Sequence, residues 1–425
     1  MKDVVVCGGQ RTPFVKSMTA YQGVTTQQLM TASLQALVDK MGLQNKILGD
    51  VALGGVMVSS ADWNLARECV LGTTLHHRTP AYNVQRACGL SLETTNQIAL
   101  KIESGQIEWG IAGGVDTNTD LTILYPRSFS QKLMALNQAK TFGQKLKGAL
   151  NFNFSDLKPV LPAVVEPRTS KSMGQHCEMM VQEWQIPRVE QDQLSLESHQ
   201  KAAAAYKNNF HQKLVFEFNG VAKDLIVRGD TTLEKLAKLR PVFDTSDKGT
   251  LTAGNSTALT DGSSAVLLAS RKKAEAEKLP MLAKFVDCEV AALDFVKGEG
   301  LLMAPALAVS KLLSRHNLKL QDFDYYEIHE AFAGQVLCTL KAWDDANYCK
   351  NILGRSEKMG VIDRTRMNVN GGSLALGHPF GATGARIVAS LAHTLHANGK
   401  GRGLISICTA GGMGVAAIME AIELN

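Results

Sequence analysis

The sequence predicts an α/β fold made of two similar halves. Three observations predict it: short β-rich runs alternate with segments of helical period, the units that close the two halves look alike, and 425 residues at 45% hydrophobic content exceed the usual size of one core.

Taken in order, residues 4–7 form an apolar run that reads as a strand, 26–40 carry the 3.6-residue apolar period of a helix, and 50–58 read as a second strand. Leu92, Ile98, Ala99 and Ile102 mark the buried stripe of a helix over 89–104, followed by a strand over 109–112. The second half predicts a strand over 325–328, helices over 331–343 and 382–396, and a strand over 403–408. In both halves a strand ending in small residues follows an apolar helix, EWGIAGGVDTN first and RGLISICTAGGMG later. This reads as an internal repeat, with two unrelated α/β units as the alternative. Residues 121–244 are less regular, carry Pro159, Pro162 and Pro167, and read as an inserted subdomain.

The composition narrows the function. A net charge of +5 with 6% aromatics and no long Lys/Arg run argues against a nucleic-acid partner and leaves anionic small molecules. No run reaches the roughly 20 apolar residues of a membrane span, and MKDVVVCGGQRTPF resembles neither a signal nor a transit peptide, so a cytoplasmic protein is expected. Its eight cysteines are scattered without a CxxC pair, which suits a reducing compartment and predicts no metal site.

Residues 121–155 hold Arg127, Lys132, Lys140, Lys145 and Lys147 but no acidic residue, with Phe129, Leu133, Leu136, Phe142, Leu146 and Leu150 near helical spacing. A basic amphipathic helix of this kind suits a membrane surface or partner, and equally a cap packed on its own protein. Gly143 and Gly148 weaken a continuous helix.

The chemistry-bearing candidates stand at element ends. Cys88 precedes a helix, where free N–H groups favour a thiolate and can bind a carbonyl oxygen that becomes negative. A cysteine so placed is more often a plain buried small residue, so it needs company. His329 follows a strand in YYEIHEAFAGQ, His378 lies in the glycine-rich NGGSLALGHPFGATGAR, and Cys408 ends a strand in SICTAGGMG. Neither GxGxxG nor GxxxxGK[ST] is present, which argues against a nucleotide hydrolase. Two thiols and two imidazoles, all at element ends, shift the balance from plain structural residues towards a site.

At these residues the chain resembles the thiolase family, through GGQRTPF, QRACGLSLE, LAKLRPVFD with GTLTAGNSTALTDGSSA, HEAF, GGSLALGHPFGATGAR and CTAGGMG. His329, where many thiolases have Asn, and the segments RSFSQKLMALNQAKTFGQ and LPAVVEPRTSKSMG are similar to the β-subunit of the trifunctional fatty-acid oxidation complex and its bacterial relatives. The resemblance implies the thiolase fold: two duplicated five-layered βαβαβαββ halves, one over 1–120 plus 245–275 and the other over 276–425, with an α-rich loop subdomain over 121–244. It implies that Cys88 is the acylated nucleophile, that His378 activates it, and that Cys408 shuttles the α-proton. His329 and His378 would polarise a thioester oxygen, while the backbone N–H groups of Cys88 and Ala410 would form a second oxyanion site. Ala410 stands where many thiolases have Gly.

Coenzyme A, as substrate and product, would lie near Met173, Arg228 and Thr257, with Ala331 and Phe332 along its pantetheine. No metal or permanently bound cofactor is implied. The implied activity is cleavage of 3-ketoacyl-CoA in fatty-acid β-oxidation, with biosynthetic acetoacetyl-CoA formation as the alternative and a non-catalytic scaffold as the remote one. The implied partners are a second copy, as a homodimer or homotetramer, and an α-subunit with hydratase and dehydrogenase activities.

Overall fold

The computed structural model describes residues 3–160 and 165–422; Pro162, in the proline cluster, lies outside the described residues. The order of strands across the central sheet is Tyr325–Ile328, Arg402–Thr409, Met413–Ala421, Ala283–Ala292, Val4–Arg11, Thr260–Ser270, Trp109–Asp116, Asp50–Leu53 and Ala81–Asn83. The short strand Val15–Lys16 pairs beside Thr260–Ser270.

The sheet repeats one pattern outward from its centre. Val4–Arg11 and Ala283–Ala292 meet antiparallel through Val5 opposite Lys284 and Val6 opposite Ala283. Beside each lies the last strand of its half, antiparallel, then the preceding strand, antiparallel to that one, and then a parallel strand. Helices Leu90–Glu103 and Thr383–Asn398 pack on each other and against strands of both halves. Thr26–Met41 covers the first half from outside and Ala304–His316 the second, so the layers run helix, one half of the sheet, helix, the other half of the sheet, helix.

One connection differs sharply between the halves. Arg402–Thr409 turns directly into Met413–Ala421, whereas the corresponding strands Trp109–Asp116 and Thr260–Ser270 are separated by some 140 residues. That long connection carries the helices Arg127–Gln138, Phe142–Leu150, Met173–Glu183 and Arg188–Lys207.

Several boundaries depart from the sequence pattern for local reasons. The strand expected over 50–58 stops at Leu53, because the Val56 and Met57 N–H groups turn aside to Asp116. The helix expected from 331 starts at Ala333, because Phe332 is extended and bridges Ser256. The basic segment is two helices with a break at 139–141, not a run weakened at its glycines. Thr141 caps the second helix reciprocally with Gln144, and a Cβ on Gly148 would lie 2.9 Å from Leu136, so that glycine lets the two helices approach.

Neither of these two helices has a buried residue, so the cap packed on its own body is not what forms. Among the described residues no helix is long and apolar enough to cross a membrane.

Candidate active site

Cys88 sits in the turn Ala87–Gly89, immediately before Leu90–Glu103. Ala87 holds a φ of 44°, a left-handed conformation costly for a residue with a side chain, and this sharp turn presents Cys88 at the head of the helix. Gly89 is required by close approach: a Cβ there would lie 2.7 Å from Val415 and 2.9 Å from Thr409. The cysteine is therefore pressed against the hairpin that carries Cys408.

Cys88 opens onto a cavity of about 380 Å³ lined mainly by apolar groups, among them Met57, Met173, Phe380, Ala410 and Met413. Burial pushes its thiol up to about 12, while N–H groups of Ala410 and of Cys88 itself pull the other way. The helix terminus thus does not outweigh desolvation, and the expected resting thiolate is a neutral thiol. Cys408 is buried, and both desolvation and the neighbouring Cys88 raise it well above an ordinary thiol.

The two histidines come together from separate loops. His329 follows Tyr325–Ile328, and its N–H donates to the Ser406 carbonyl at 2.8 Å, which sets it on the strand adjoining Cys408. His378 leaves its glycine-rich turn with its N–H donated to Thr260 Oγ1 at 2.8 Å. The ring centroids lie 4.1 Å apart, and His378 stands 5.3 Å from Phe380, a wall of the Cys88 cavity. Both rings are buried, and neither Nε2 atom has a hydrogen-bond partner among the described residues. Burial, aided by the Arg386 charge, takes His378 down to about 3; burial, His378 and Arg386 take His329 well below its ordinary value. Both imidazoles are neutral at working pH.

Buried carboxylates fix the surrounding backbone. Asp116 accepts from Val56, Met57 and Gly381, the last at 2.6 Å, and joins three loops around the cavity; its carboxyl is raised to about 6 by burial. Glu166 accepts from Gly411 N–H at 2.6 Å and steadies the turn after Ala410. The left-handed positions of that turn are Gly411 and Gly412, so Ala410 meets no positive-φ demand. Glu330 accepts from Ser198, Asn368 and Leu374 N–H, which ties HEAF to the glycine-rich loop.

Among the other expected binding residues, Thr257 N–H donates to the Ala331 carbonyl at 3.0 Å beside the Ser256–Phe332 bridge, so these segments do converge. Met173 lines the Cys88 cavity. Arg228 is exposed and absent from that lining; its N–H donates to His199 Nδ1. Asp116, Glu166, Ser373, Thr383 and Arg386 were not anticipated singly, although each lies inside or beside a quoted block. The only sequence signal was their place next to the candidate histidines and strand ends.

A thiol lining a cavity, a second thiol beside it, two buried imidazoles and the N–H groups of Cys88 and Ala410 are thus gathered in one region. Comparison with known proteins identifies the lineage. Residues 4–272 match the thiolase N-terminal domain model and 279–421 the thiolase C-terminal domain model. The chain is 38% identical over 423 residues to 3-ketoacyl-CoA thiolases of Yersinia pestis (strain Pestoides F) and Yersinia pseudotuberculosis (serotype O:1b, strain IP 31758), covering 98% of this chain and 96% of each relative.

An acetyl-CoA acetyltransferase of Bacillus anthracis superposes with a TM-score of 0.81 at 30% identity, covering 99% of both chains. The Acat5 thiolase of Ascaris suum, solved with coenzyme A, gives the same TM-score at 24% identity, over 99% of this chain and 100% of that one, and speaks for the fold alone. The chain belongs to the thiolase family and has the thiolase fold. It is an acyltransferase.

Proposed function

We propose that this enzyme cleaves 3-ketoacyl-CoA with coenzyme A, giving acetyl-CoA and an acyl-CoA two carbons shorter, through an acyl-Cys88 intermediate. The supporting observation is the pair of buried imidazoles whose Nε2 atoms have no partner among the described residues, one of them against Phe380 in the wall of the cavity onto which Cys88 opens, with Cys408 next to Cys88. A neutral Cys88 needs a base, and we assign that role to His378: Thr383 Oγ1 lies 2.6 Å from His378 Nδ1 and 3.4 Å from the Pro379 carbonyl, and a hydroxyl turned to that carbonyl accepts from the ring. Nδ1–H then donates to Thr383 and Nε2 keeps its lone pair.

In this reading the Cys88 sulfur attacks the 3-keto carbon as His378 takes its proton, with the Cys88 and Ala410 N–H groups at the resulting oxyanion. The C2–C3 bond breaks as Cys408 protonates the departing α-carbon, and His329 and His378 donate to the enolate oxygen. A second coenzyme A then gives its thiol proton to Cys408 as its sulfur attacks acyl-Cys88, and Cys88 leaves and recovers its proton from His378. Coenzyme A would enter past Met173, Thr257, Ala331 and Phe332; the exposure of Arg228 restricts it to the outer, phosphate-bearing end. No resident metal is required by this cycle.

We divide the chain as 1–120 plus 245–275, 121–244 and 276–425, supported by the repeated strand order and the long connection in the first half. A place in β-oxidation, a cytoplasmic location suited to eight free cysteines, self-association and an α-subunit partner belong to the same reading. The helix pair 127–150 is read as a contact face for an anionic membrane surface. Phe142 is 82%, Leu150 77% and Met134 63% exposed, beside Lys140, Lys145 and Lys147, which form no ion pair among the described residues.

Mass spectrometry after mixing with 3-ketoacyl-CoA tests the chemistry. An acyl adduct on Cys88, shortened by two carbons, is expected; no adduct where a control thiolase is labelled refutes it. Activity confined to acetoacetyl-CoA would transfer the assignment to the biosynthetic reaction.

A further inference from the structure

We propose that Ser373, clamped by the buried Arg386, is a positioning residue that fixes His329 as the tautomer carrying its proton on Nε2. Ser373 is fully buried at the start of the short helix Ser373–Leu376. Its Oγ lies 2.9 Å from His329 Nδ1 and 2.7 Å from Arg386 Nη2. The guanidinium only donates, so it occupies one lone pair of Ser373.

The hydroxyl hydrogen then has His329 Nδ1 as its one acceptor among the described residues. Were Nδ1 protonated instead, Nδ1–H would donate to Ser373 and leave that hydroxyl hydrogen orphaned in the interior. The bonding is therefore complete only with Nδ1 as acceptor and the proton on Nε2. That Nε2 is the buried atom without a protein partner, so the proton it carries is presented to a ligand.

Arg386 is itself sparsely satisfied. Its side chain is 1% exposed and, among the described residues, its Nε has no partner and its nearest carboxylate, Glu327, is 3.9 Å away. Burying a charge on such terms is unfavourable, and its one short contact is the bond to Ser373. The chain Glu327, Arg386, Ser373, His329 thus runs from the interior into the site. In the proposed cycle Thr383 serves His378 the opposite way, through a longer contact of 3.4 Å to the Pro379 carbonyl.

This inference rests on His329 serving as an oxyanion donor, and the test separates the two ideas. Nitrogen NMR of full-length protein labelled in its ten histidines, with His329→Gln to assign the ring by difference, reads the tautomer directly. In the unmodified protein near pH 7, neutral His329 protonated on Nε2 is expected; protonation on Nδ1 overturns the proposal without any Ser373 variant. Ser373→Ala should move the ring signals towards the other tautomer and lower kcat about tenfold or more, with KM for acyl-CoA little changed. Ser373→Thr, which keeps the hydroxyl, should preserve the tautomer and most of kcat. Unchanged ring signals in Ser373→Ala overturn the proposal, whatever happens to activity. Should His329→Gln keep full activity while the unmodified ring is protonated on Nε2, the tautomer assignment stands and the oxyanion role falls.

Discussion

Asp224→Ala should be among the most destabilising single changes in this protein. Asp224 accepts from Arg11 Nη1 at 2.6 Å and Nη2 at 2.7 Å, from Phe14 N–H at 2.7 Å and from Tyr206 OH at 2.6 Å. The Arg11 and Asp224 side chains are 1% and 0% exposed, so water cannot replace the carboxylate. Removing one partner of a buried pair costs about 3–5 kcal/mol, and each orphaned buried donor adds about 1–3 kcal/mol. The expected loss is thus on the order of 5 kcal/mol, comparable with the entire stability of many domains.

Arg11→Met combined with Asp224→Ala should recover much of this loss, because the uncompensated charge goes too. The pH dependence has a definite sign. Arg11 holds the Asp224 carboxyl below its ordinary value, so its contribution is complete above the unfolded pKa near ~3.9 and is lost as pH falls through the folded value. Urea midpoints at pH 7 and at descending pH measure both effects. An Asp224→Ala midpoint equivalent to less than about 1 kcal/mol of destabilisation, or a double variant no better than the single one, would refute the reasoning.

Cys88→Ser should abolish the acyl adduct, whereas Cys408→Ala should lower carbon–carbon cleavage about 10²–10⁴-fold and still exchange labelled coenzyme A with a simple acyl-CoA. Equal loss of both activities in Cys408→Ala would deny it a separate proton-transfer role. His199 and His211 are lowered to about 4 and His378 to about 3, chiefly by burial, so the unfolded chain binds more protons between these values and 6.5. Stability should then fall on acidification from pH ~6.5 to ~4, and His211→Asn should flatten that slope in a urea titration. Replacing Lys140, Lys145 and Lys147 with Glu should weaken sedimentation with anionic vesicles without changing kcat; unchanged sedimentation would dispose of the membrane face.

Much of the architecture was legible because burial writes a period into sequence. The helix over 26–40 and the strand over 325–328 fall within a residue or not at all from the structure, since their apolar spacing has one solution. The strand over 50–58 was overrun, because the residues that end it do so for Asp116, about 60 positions away. Periodicity carries no trace of such a bond. For the same reason Gly148 read as a helix breaker: its value lies in the approach of Leu136, a tertiary matter.

The site divides along the same line. Cys88, His329, His378 and Cys408 were visible because strand ends and glycine-rich turns expose reactive groups, yet their protonation states were not. A thiol at a helix head suggests a thiolate, but burial raises Cys88 instead, and in the proposed cycle His378 activates it. The two imidazoles are chemically identical in sequence and nearly touch in space. What separates them is the second bond of each hydroxyl partner. Ser373 receives from Arg386 and so gives to His329 in the proposed assignment, while Thr383, 2.6 Å from His378 Nδ1, receives from it when its hydroxyl turns to the Pro379 carbonyl 3.4 Å away. A site that needs one donor and one base from two like rings can set both without a charged imidazole, through hydroxyls whose remaining bonds are already committed.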